Sequence, residues 1–496
     1  MTSSQSRSRL KPSALLALMI VAAVLLLKLP LQASLWLDET ITFWITDGSF
    51  AEAVLRSVTY QGESPLYFIL IRDLRNLFQP QEWVLRAPSL LALALSGALI
   101  FALACKLFNK ESGVFAVIFF VSNPQVLKAA LSARPYSLAL LCSLASVLSL
   151  IHWFERGQLK HRLAYALSTL LAIYFHFLFA GVLLVHFSYY LLFPAPTRRV
   201  KAAKLWSTWV WIGILLMPAA PQLFCLFTRR ESLLFGEVPG LLDLARSLYH
   251  PTAAIYFVCA LAIAATFRSF TLLPGRFFSK PLVKWLLIWL LAGPLLFWAY
   301  SILSNSAFFI NRFFLWQTPA LALLFAGLLQ SIEPAKSRLL SLAILCLMVS
   351  GHLASLKWQI EDWRGAAAAI DASWQEKKSP VLVYSGLIEL QQPKWLLDHR
   401  RWDYLLAPFK AYSVEAPLYP LPANPQAEQM QEYMESLQNE VIGGQNEFIL
   451  AALQIKDPQG SGYAHQNLSD YFKSRGFISE KMTDAGLVHL LKFRKP

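Results

Sequence analysis

The sequence predicts a mainly α-helical, polytopic membrane protein with a small α/β domain at its C-terminal end. Of its 496 residues, 56% are hydrophobic and only 15% are charged, whereas soluble domains carry about 25% charged residues. Eleven apolar runs resemble bilayer-spanning helices, which need about 17–25 residues. The chain becomes polar after residue 356. This pattern excludes a purely soluble enzyme and a disordered chain.

The predicted spans start near the N-terminus and end just before the polar region. They are residues 13–31, 87–105, 113–127, 135–153, 163–178, 179–193, 205–226, 251–267, 284–303, 313–331 and 339–356. The stretch 65–78 is also apolar, but it contains Arg72, Asp73 and Arg75. It is predicted to be an amphipathic helix at the membrane interface instead of a span.

The charge distribution predicts the orientation of the chain. The formal net charge is +14, and residues 1–356 hold 29 basic and 13 acidic side chains against 15 and 17 in residues 357–496. With a cytoplasmic N-terminus, the predicted cytoplasmic segments contain 18 basic and three acidic residues, as the positive-inside rule requires. The basic excess therefore indicates membrane topology, and nucleic acid is not an expected partner.

Two regions follow from this topology. Residues 1–356 form a membrane module, with an outer loop and juxtamembrane helices at 32–86, and residues 357–496 form an external soluble α/β domain. Hydrophobic patterning in the external domain predicts three strands and two helices around a Pro-rich irregular stretch at 408–425. The strands are Val381–Tyr384, Phe448–Leu453 and Leu487–Phe493, and the helices are Asp362–Asp371 and Asn467–Arg475.

Ionisable residues gather at the outer ends of the predicted spans, where such groups are functional candidates because they are costly near a membrane. Adjacent carboxylates, Asp38 and Glu39, follow the first span in SLWLDETITFW. As a general base, Asp38 takes a proton from an acceptor hydroxyl. As an N-cap, it only stabilises an interfacial helix. The sequence leaves both interpretations open.

Three arginines on the same side offer a second chemistry. A guanidinium at Arg134, Arg312 or Arg86 can bind a phosphate with two parallel hydrogen bonds, or it can extend to the lipid headgroups. His176, in IYFHFLF, is either a packed histidine or a partner of Glu63 in an ion or substrate site. Two such ligands do not define a metal site, so the metal is unknown.

The ordered motifs resemble a known family. LDETITFW, ESPLYFILIRDLRNLF, EWVLRAPSLLALA, SARPYSLALL, LAIYFHFLF, NRFFLWQTPALALLFAGLL and EDWRGAAAAI occur in this order. Over roughly residues 30–370 the chain resembles bacterial glycosyltransferase family 39-type enzymes. These are relatives of the protein O-mannosyltransferases and of the lipid A aminoarabinose transferase, and they have the GT-C fold.

The resemblance implies a GT-C helical bundle of about eleven spans that moves a hexosyl or pentosyl group from a polyprenyl-phosphate donor. The acceptor would be a lipid, a glycan or a protein at the outer face of the cell inner membrane. It implies that Asp38 and Glu39 are catalytic and that Arg134, Arg312 and Arg86 bind the donor phosphate. It also implies that Glu63, Tyr67, Tyr136 and His176 contact the substrate or a metal.

The sequence requires no cofactor, and a divalent metal stays possible. Two other functions remain open. A transporter or flippase for lipid-linked glycans also has many spans and buried arginines, although inverted repeats are not visible here. An oligosaccharide polymerase or ligase is the second, although it favours long outer loops between late spans.

Overall fold

The computed structural model describes most of the chain as two compact units. The described residues are 29–61, 63–79, 81–193, 199–228, 238–248, 258–259, 262, 265, 271–273, 275, 278–355, 361–455 and 462–496. The helical unit comprises the described parts of 1–29, 86–223 and 237–356, and the mixed unit those of 30–85, 224–236 and 357–496. The outer loop is thus grouped with the C-terminal region, whereas the sequence-based boundaries grouped it with the membrane module.

Helices dominate the helical unit. They are α4 Glu82–Leu107, α5 Lys110–Val121, α6 Pro124–Ala130, α7 Tyr136–Arg156, α8 Leu159–Phe175, α9 Val182–Leu192, α10 Ala202–Leu216, α11 Ala220–Thr228, α12 Leu241–Leu248, α13 Lys280–Leu303, α14 Thr318–Gln330 and α15 Ala335–Ser355. Two 3₁₀ segments, Phe177–Gly181 and Asn311–Gln317, precede α9 and α14. The strands β1 Thr271–Leu272 and β2 Ile332–Glu333 pair antiparallel.

Five of the described helices are long and apolar enough to cross a membrane, or six if the bent pair α5 and α6 forms one span. Their apolar side chains are widely exposed, as at Leu91, Trp211 and Leu303, which is expected of surfaces that face lipid. The prediction of a membrane protein with several spans is confirmed. The count of eleven is not, because most of the runs 13–31 and 251–267 lies outside the described residues.

Tryptophans fill the core of the helical unit. Trp289 and Trp316 are fully buried, and the Trp289 indole N–H donates to the Trp316 carbonyl over 2.7 Å. Gly181 and Gly293 make room for this packing, because a Cβ atom would lie 2.5 Å from the Trp316 ring at Gly181 and 2.7 Å from Phe314 at Gly293. The ring therefore fixes the 3₁₀ segment Asn311–Gln317 against its neighbours.

The mixed unit combines short helices with one five-stranded sheet. Its helices are α1 Leu37–Thr46, α2 Phe50–Arg56, α3 Pro65–Leu77, the start of α4, α16 Trp363–Glu376, α17 Pro393–Leu396, α18 Trp402–Leu405, α19 Ala407–Ala411, α20 Gln431–Leu437 and α21 Ala464–Lys473. Its strands are β3 Val381–Tyr384, β4 Leu418–Pro420, β5 Glu447–Leu453, β6 Ile478–Ala485 and β7 Val488–Arg494.

The sheet has the order β4-β3-β5-β7-β6. Strand β3 runs parallel to β4 and β5, whereas β7 runs antiparallel to β5 and β6. The three predicted strands and the two predicted helices are all present. Their first residues differ from the predicted ones by a few positions at most. Strand β6 was not predicted, and β4 lies in the stretch that was expected to be irregular.

Helix α3 corresponds to the predicted amphipathic segment. Ser64 caps its first turn and Pro65 occupies the first helical position, a combination that favours helix initiation. Near its end, Arg75 donates to the Phe43 carbonyl and to the Thr46 hydroxyl of α1, each over 2.8 Å. These bonds fix α3 to the helix that carries the Asp-Glu pair.

Candidate functional site

Arg134 lies in the turn between α6 and α7 of the helical unit and is only 4% exposed. Its backbone N–H donates to the Ser132 carbonyl over 2.8 Å. From α4, the Ser89 hydroxyl donates to the carbonyl oxygens of Ser132 and Arg134, at 2.8 and 3.3 Å. These bonds hold the turn against α4. A guanidinium buried to this degree does not reach out to lipid headgroups.

His176 joins α8 to the 3₁₀ segment Phe177–Gly181, and its ring centroid lies 4.9 Å from that of Tyr136. Arg312 approaches from the 3₁₀ segment Asn311–Gln317, with its guanidinium carbon 5.9 Å from the Tyr136 ring. Both Arg134 and Arg312 interact electrostatically with the His176 imidazole. The structure therefore brings four predicted site residues together.

This arginine cluster, defined as Arg134, Tyr136, His176 and Arg312, has the chemistry of an anion site. Two guanidinium groups supply planar sets of N–H donors in aromatic surroundings, where water competes little for an anion. The buried Nδ1 atom of His176 makes no hydrogen bond within the part of the chain that the structure describes. The cluster can bind a phosphate group through directed hydrogen bonds.

Arg86 is also 4% exposed, on α4 and one helical turn before Ser89. Ser89 contacts the Arg134 turn directly, so the same face of α4 carries Arg86 and the hydroxyl that holds the cluster in place. The neighbouring Ser132 donates its hydroxyl to the Lys128 carbonyl over 2.6 Å. Ser132 thus has a local structural contact at the same turn.

Asp38 and Glu39 lie in the first turn of α1 in the mixed unit, and their environments differ. Glu39 is fully buried, and its carboxylate accepts a hydrogen bond from the backbone N–H of Trp36 over 3.2 Å. Asp38 is only partly buried. The N-cap is Trp36 and Asp38 is the second helical residue, so the N-cap interpretation does not describe it. Glu39 stabilises the helix start, and Asp38 stays accessible.

Glu63 and Tyr67 belong to the same mixed unit, next to the start of α3. The Glu63 backbone N–H donates to the Ser57 carbonyl over 3.1 Å. Tyr67 is 1% exposed, and its ring meets Phe68 edge-on at 5.5 Å between centroids. The predicted pairing of Glu63 with His176 joins residues of two units and stays a prediction.

Glu361, which the sequence analysis did not single out, also lies near the acidic pair. Burial raises the pKa of its carboxyl, and the negative charges of Asp38 and Glu39 raise it further, against hydrogen bonds from Trp363 and Leu37 that lower it. Its position in EDWRG, the motif that opens the C-terminal region, was the available signal. Among the described residues, no three His, Cys, Asp or Glu side chains form a group that could hold a metal ion.

With this geometry established, known proteins give a comparison. The family model for dolichyl-phosphate-mannose-protein mannosyltransferase matches residues 62–224, a minority of the chain. A crystal structure of ArnT from Cupriavidus metallidurans in the apo state matches with a TM-score of 0.57 at 13% identity, covering 96% of this chain and 97% of that one. The undecaprenyl phosphate-bound structure of the same protein gives identical values.

The chain has an ArnT-like GT-C fold. Together with the family-model match, this fold supports a GT-C glycosyltransferase family, as the resemblance in the sequence implied. The predicted fold class is therefore confirmed, and the apolar helices agree with a membrane protein. No curated protein sequence matches the chain. The identity to ArnT is low, so the roles of individual residues depend on the geometry described above.

Proposed function

We propose that this GT-C protein moves a sugar from a polyprenyl-phosphate-linked donor onto a lipid, glycan or protein acceptor at the external membrane face. The arginine cluster carries the proposal, because it combines two guanidinium groups with an imidazole among aromatic rings in a unit of long apolar helices. A phosphate on an isoprenoid chain has the matching chemistry. A protein of the same fold, ArnT, has been crystallised with undecaprenyl phosphate.

The reaction is an inverting single displacement. The acceptor hydroxyl attacks the anomeric carbon as the bond from that carbon to the phosphate oxygen breaks. Asp38 accepts the hydroxyl proton as general base, and the released polyprenyl phosphate keeps the electron pair of the broken bond. Arg134 and Arg312 stabilise the negative charge that develops on the leaving oxygen, and such preorganised stabilisation is usually a large part of catalysis.

A transfer assay tests this function. Purified protein would be incubated with polyprenyl phosphate carrying a radiolabelled sugar and with a membrane extract as acceptor source. We expect the label to move to a new product while free polyprenyl phosphate appears in equal amount. Movement of the intact labelled donor across liposomes, without transfer, would instead identify a flippase. Growth of a lipid-linked glycan chain would identify a polymerase.

We also propose that the N-terminus is cytoplasmic and that residues 357–496 are external, because the predicted loops carry 18 basic and three acidic residues on one side. Ser413 is exposed in the mixed unit. A Ser413→Cys variant should react with a membrane-impermeant thiol reagent in intact spheroplasts, and the wild-type chain, with its five native cysteines, is the control. Labelling only after lysis would reverse the orientation.

A further inference from the structure

Helix α1, which carries Asp38, begins on a contact from the far end of the chain. The backbone N–H of Leu37, its first residue, donates to the Glu361 carboxylate over 2.8 Å. The same carboxylate oxygen accepts the Trp363 indole N–H over 3.0 Å. The two contacting residues are 324 positions apart in sequence. A side chain of the C-terminal region thus satisfies a donor of the first turn of α1.

This contact supplies a hydrogen-bond acceptor for a backbone N–H at the start of the helix. The first N–H groups of an α-helix have no partner within it, and a capping oxygen normally accepts one of them. The N-cap residue here is Trp36, whose side chain has no oxygen and makes no capping hydrogen bond. Glu39 accepts the Trp36 N–H and Glu361 accepts the Leu37 N–H. Two carboxylates therefore do what an N-cap side chain does elsewhere.

Glu361 itself is fixed on a rigid support. Its backbone forms a β-bridge with Gly486, in the turn between β6 and β7. The next residue, Asp362, donates its N–H to the Ala485 carbonyl over 3.2 Å, and Trp363 is fully buried in the core of the mixed unit. The Leu37 side chain packs against that same core. The backbone and the side chain of Leu37 are thus both held by the core of the mixed unit and the residues next to it.

We propose that Glu361 is a positioning residue: it fixes the start of α1 and so sets the direction in which the Asp38 carboxylate points. Of three carboxylates at this helix start, Glu39 and Glu361 accept hydrogen bonds from backbone N–H groups, and Asp38 is the one to which the proposed function assigns the acceptor proton. The inference rests on the proposed function of Asp38. It assigns to the C-terminal region a part in catalysis without contact to the substrate.

The test compares three variants of the full-length protein by transfer kinetics and by amide hydrogen exchange. Glu361→Ala removes the acceptor, so the amides at the start of α1 should exchange faster. Turnover should fall about 10–100-fold, because small misplacements of a reacting group are that costly. The donor KM should stay within about twofold, because phosphate binding does not depend on α1. Glu361→Gln keeps an amide oxygen that accepts both hydrogen bonds, and it should restore exchange and turnover.

Glu447→Ala is the matched control, since it removes another buried carboxylate of the mixed unit that binds Lys377 and Ser379 and not α1. It should lower thermal stability and leave turnover and α1 exchange unchanged. The inference is overturned if Glu361→Ala leaves α1 exchange at the wild-type rate, or if Glu447→Ala lowers turnover equally. If the wild-type protein transfers no sugar, the proposed function fails, and the exchange data alone still decide whether Glu361 anchors α1.

Discussion

The helical unit carries the arginine cluster and the mixed unit carries Asp38, and the two units hold these charged groups by different means. In the helical unit, Arg134 and Arg312 interact electrostatically with His176, and packing around Trp316 holds the segment that carries Arg312. In the mixed unit, Asp38 sits on a helix whose first turn is fixed by hydrogen bonds to carboxylates. The position of Arg312 depends on close packing of large side chains, and that of Asp38 on satisfied backbone donors.

The two kinds of support predict where each type of substitution should act. A guanidinium among apolar rings binds an anion in both ground and transition states, so changes there should alter donor affinity as well as rate. A general base acts on a proton that moves only during the reaction, so changes at α1 should alter turnover alone. Changes at the arginine cluster of the helical unit should therefore alter both the donor KM and turnover, and changes at α1 of the mixed unit should alter turnover alone. Single-residue variants test this distinction.

The largest effect is expected at Asp38. Asp38→Asn keeps the size of the side chain, but an amide does not accept a proton at neutral pH. Loss of the general base should lower turnover about 10²–10⁴-fold, with donor binding almost unchanged. Steady-state transfer kinetics with labelled donor, together with a separate donor-binding assay, measure both quantities.

Glu39→Gln is the control for this substitution. Glu39 is buried and accepts the Trp36 N–H, and the oxygen of glutamine can keep that hydrogen bond. Its effect on turnover should be clearly smaller than that of Asp38→Asn. Near-normal sugar transfer by Asp38→Asn would remove Asp38 from the mechanism. The fold and the role proposed for the arginine cluster would not be affected.

A second effect is expected at Arg134. Arg134→Lys keeps the positive charge but loses the planar donor set, so the donor KM should rise about tenfold to a hundredfold, the worth of one charge-assisted hydrogen bond. Arg162→Lys is the control, because Arg162 binds Thr208 and Ser207 elsewhere in the helical unit. Wild-type donor affinity in Arg134→Lys would mean that Arg134 only stabilises its turn.

The sequence predicted elements whose formation depends on local patterning. Val381–Tyr384 is a run of four apolar or aromatic residues, and it forms β3 with these bounds. Asp362 caps α16 by accepting the Gly365 N–H over 2.9 Å, a signal visible in the letters EDWRG. Strand β6 was missed because ISEKMTDA has no apolar alternation. It is an edge strand that depends on pairing with β7.

The candidate site divides in the same way. The proximity of Arg134, His176 and Arg312 was predictable, because charged residues at the ends of apolar runs stand out in the sequence and the predicted span topology puts them on one side. The role of Glu361 was not predictable. Its contact with Leu37 joins residues 324 positions apart and involves a backbone N–H, which no sequence motif indicates. The same is true of Ser89, whose hydroxyl donates to backbone carbonyls of the Arg134 turn.

A moderate effect is expected from a substitution in the helical unit that changes side-chain packing but leaves every charge in place. Gly181→Ala puts a Cβ 2.5 Å from the Trp316 ring, and overpacking of this kind costs about 1–3 kcal/mol. The displaced ring belongs to the segment that carries Arg312, so the donor KM should rise up to about tenfold. Gly213→Ala is the control, as no neighbouring atom lies within 4 Å of its Cβ. Equal donor KM values for both variants would show that packing around Trp316 does not set the anion site.

The smallest effect is expected from pH on the mixed unit. Burial tends to raise the pKa of Glu447, but hydrogen bonds from Lys377 and Ser379 and the charge of Lys492 bring it below its ordinary value of 4.5. The folded protein thus binds this proton less readily than the unfolded chain. The carboxylate therefore contributes stability above pH 4.5, and the contribution is lost as the pH falls through the lowered pKa.

Glu447→Gln should reduce the free energy of unfolding at pH 7 by about 1 kcal/mol, and the difference from wild type should shrink below pH 4.5. Thermal unfolding of both proteins between pH 7 and 3 measures this, with the donor KM at pH 7 as the internal control. Parallel curves across that range, or a changed donor KM, would contradict the separate roles of the two units.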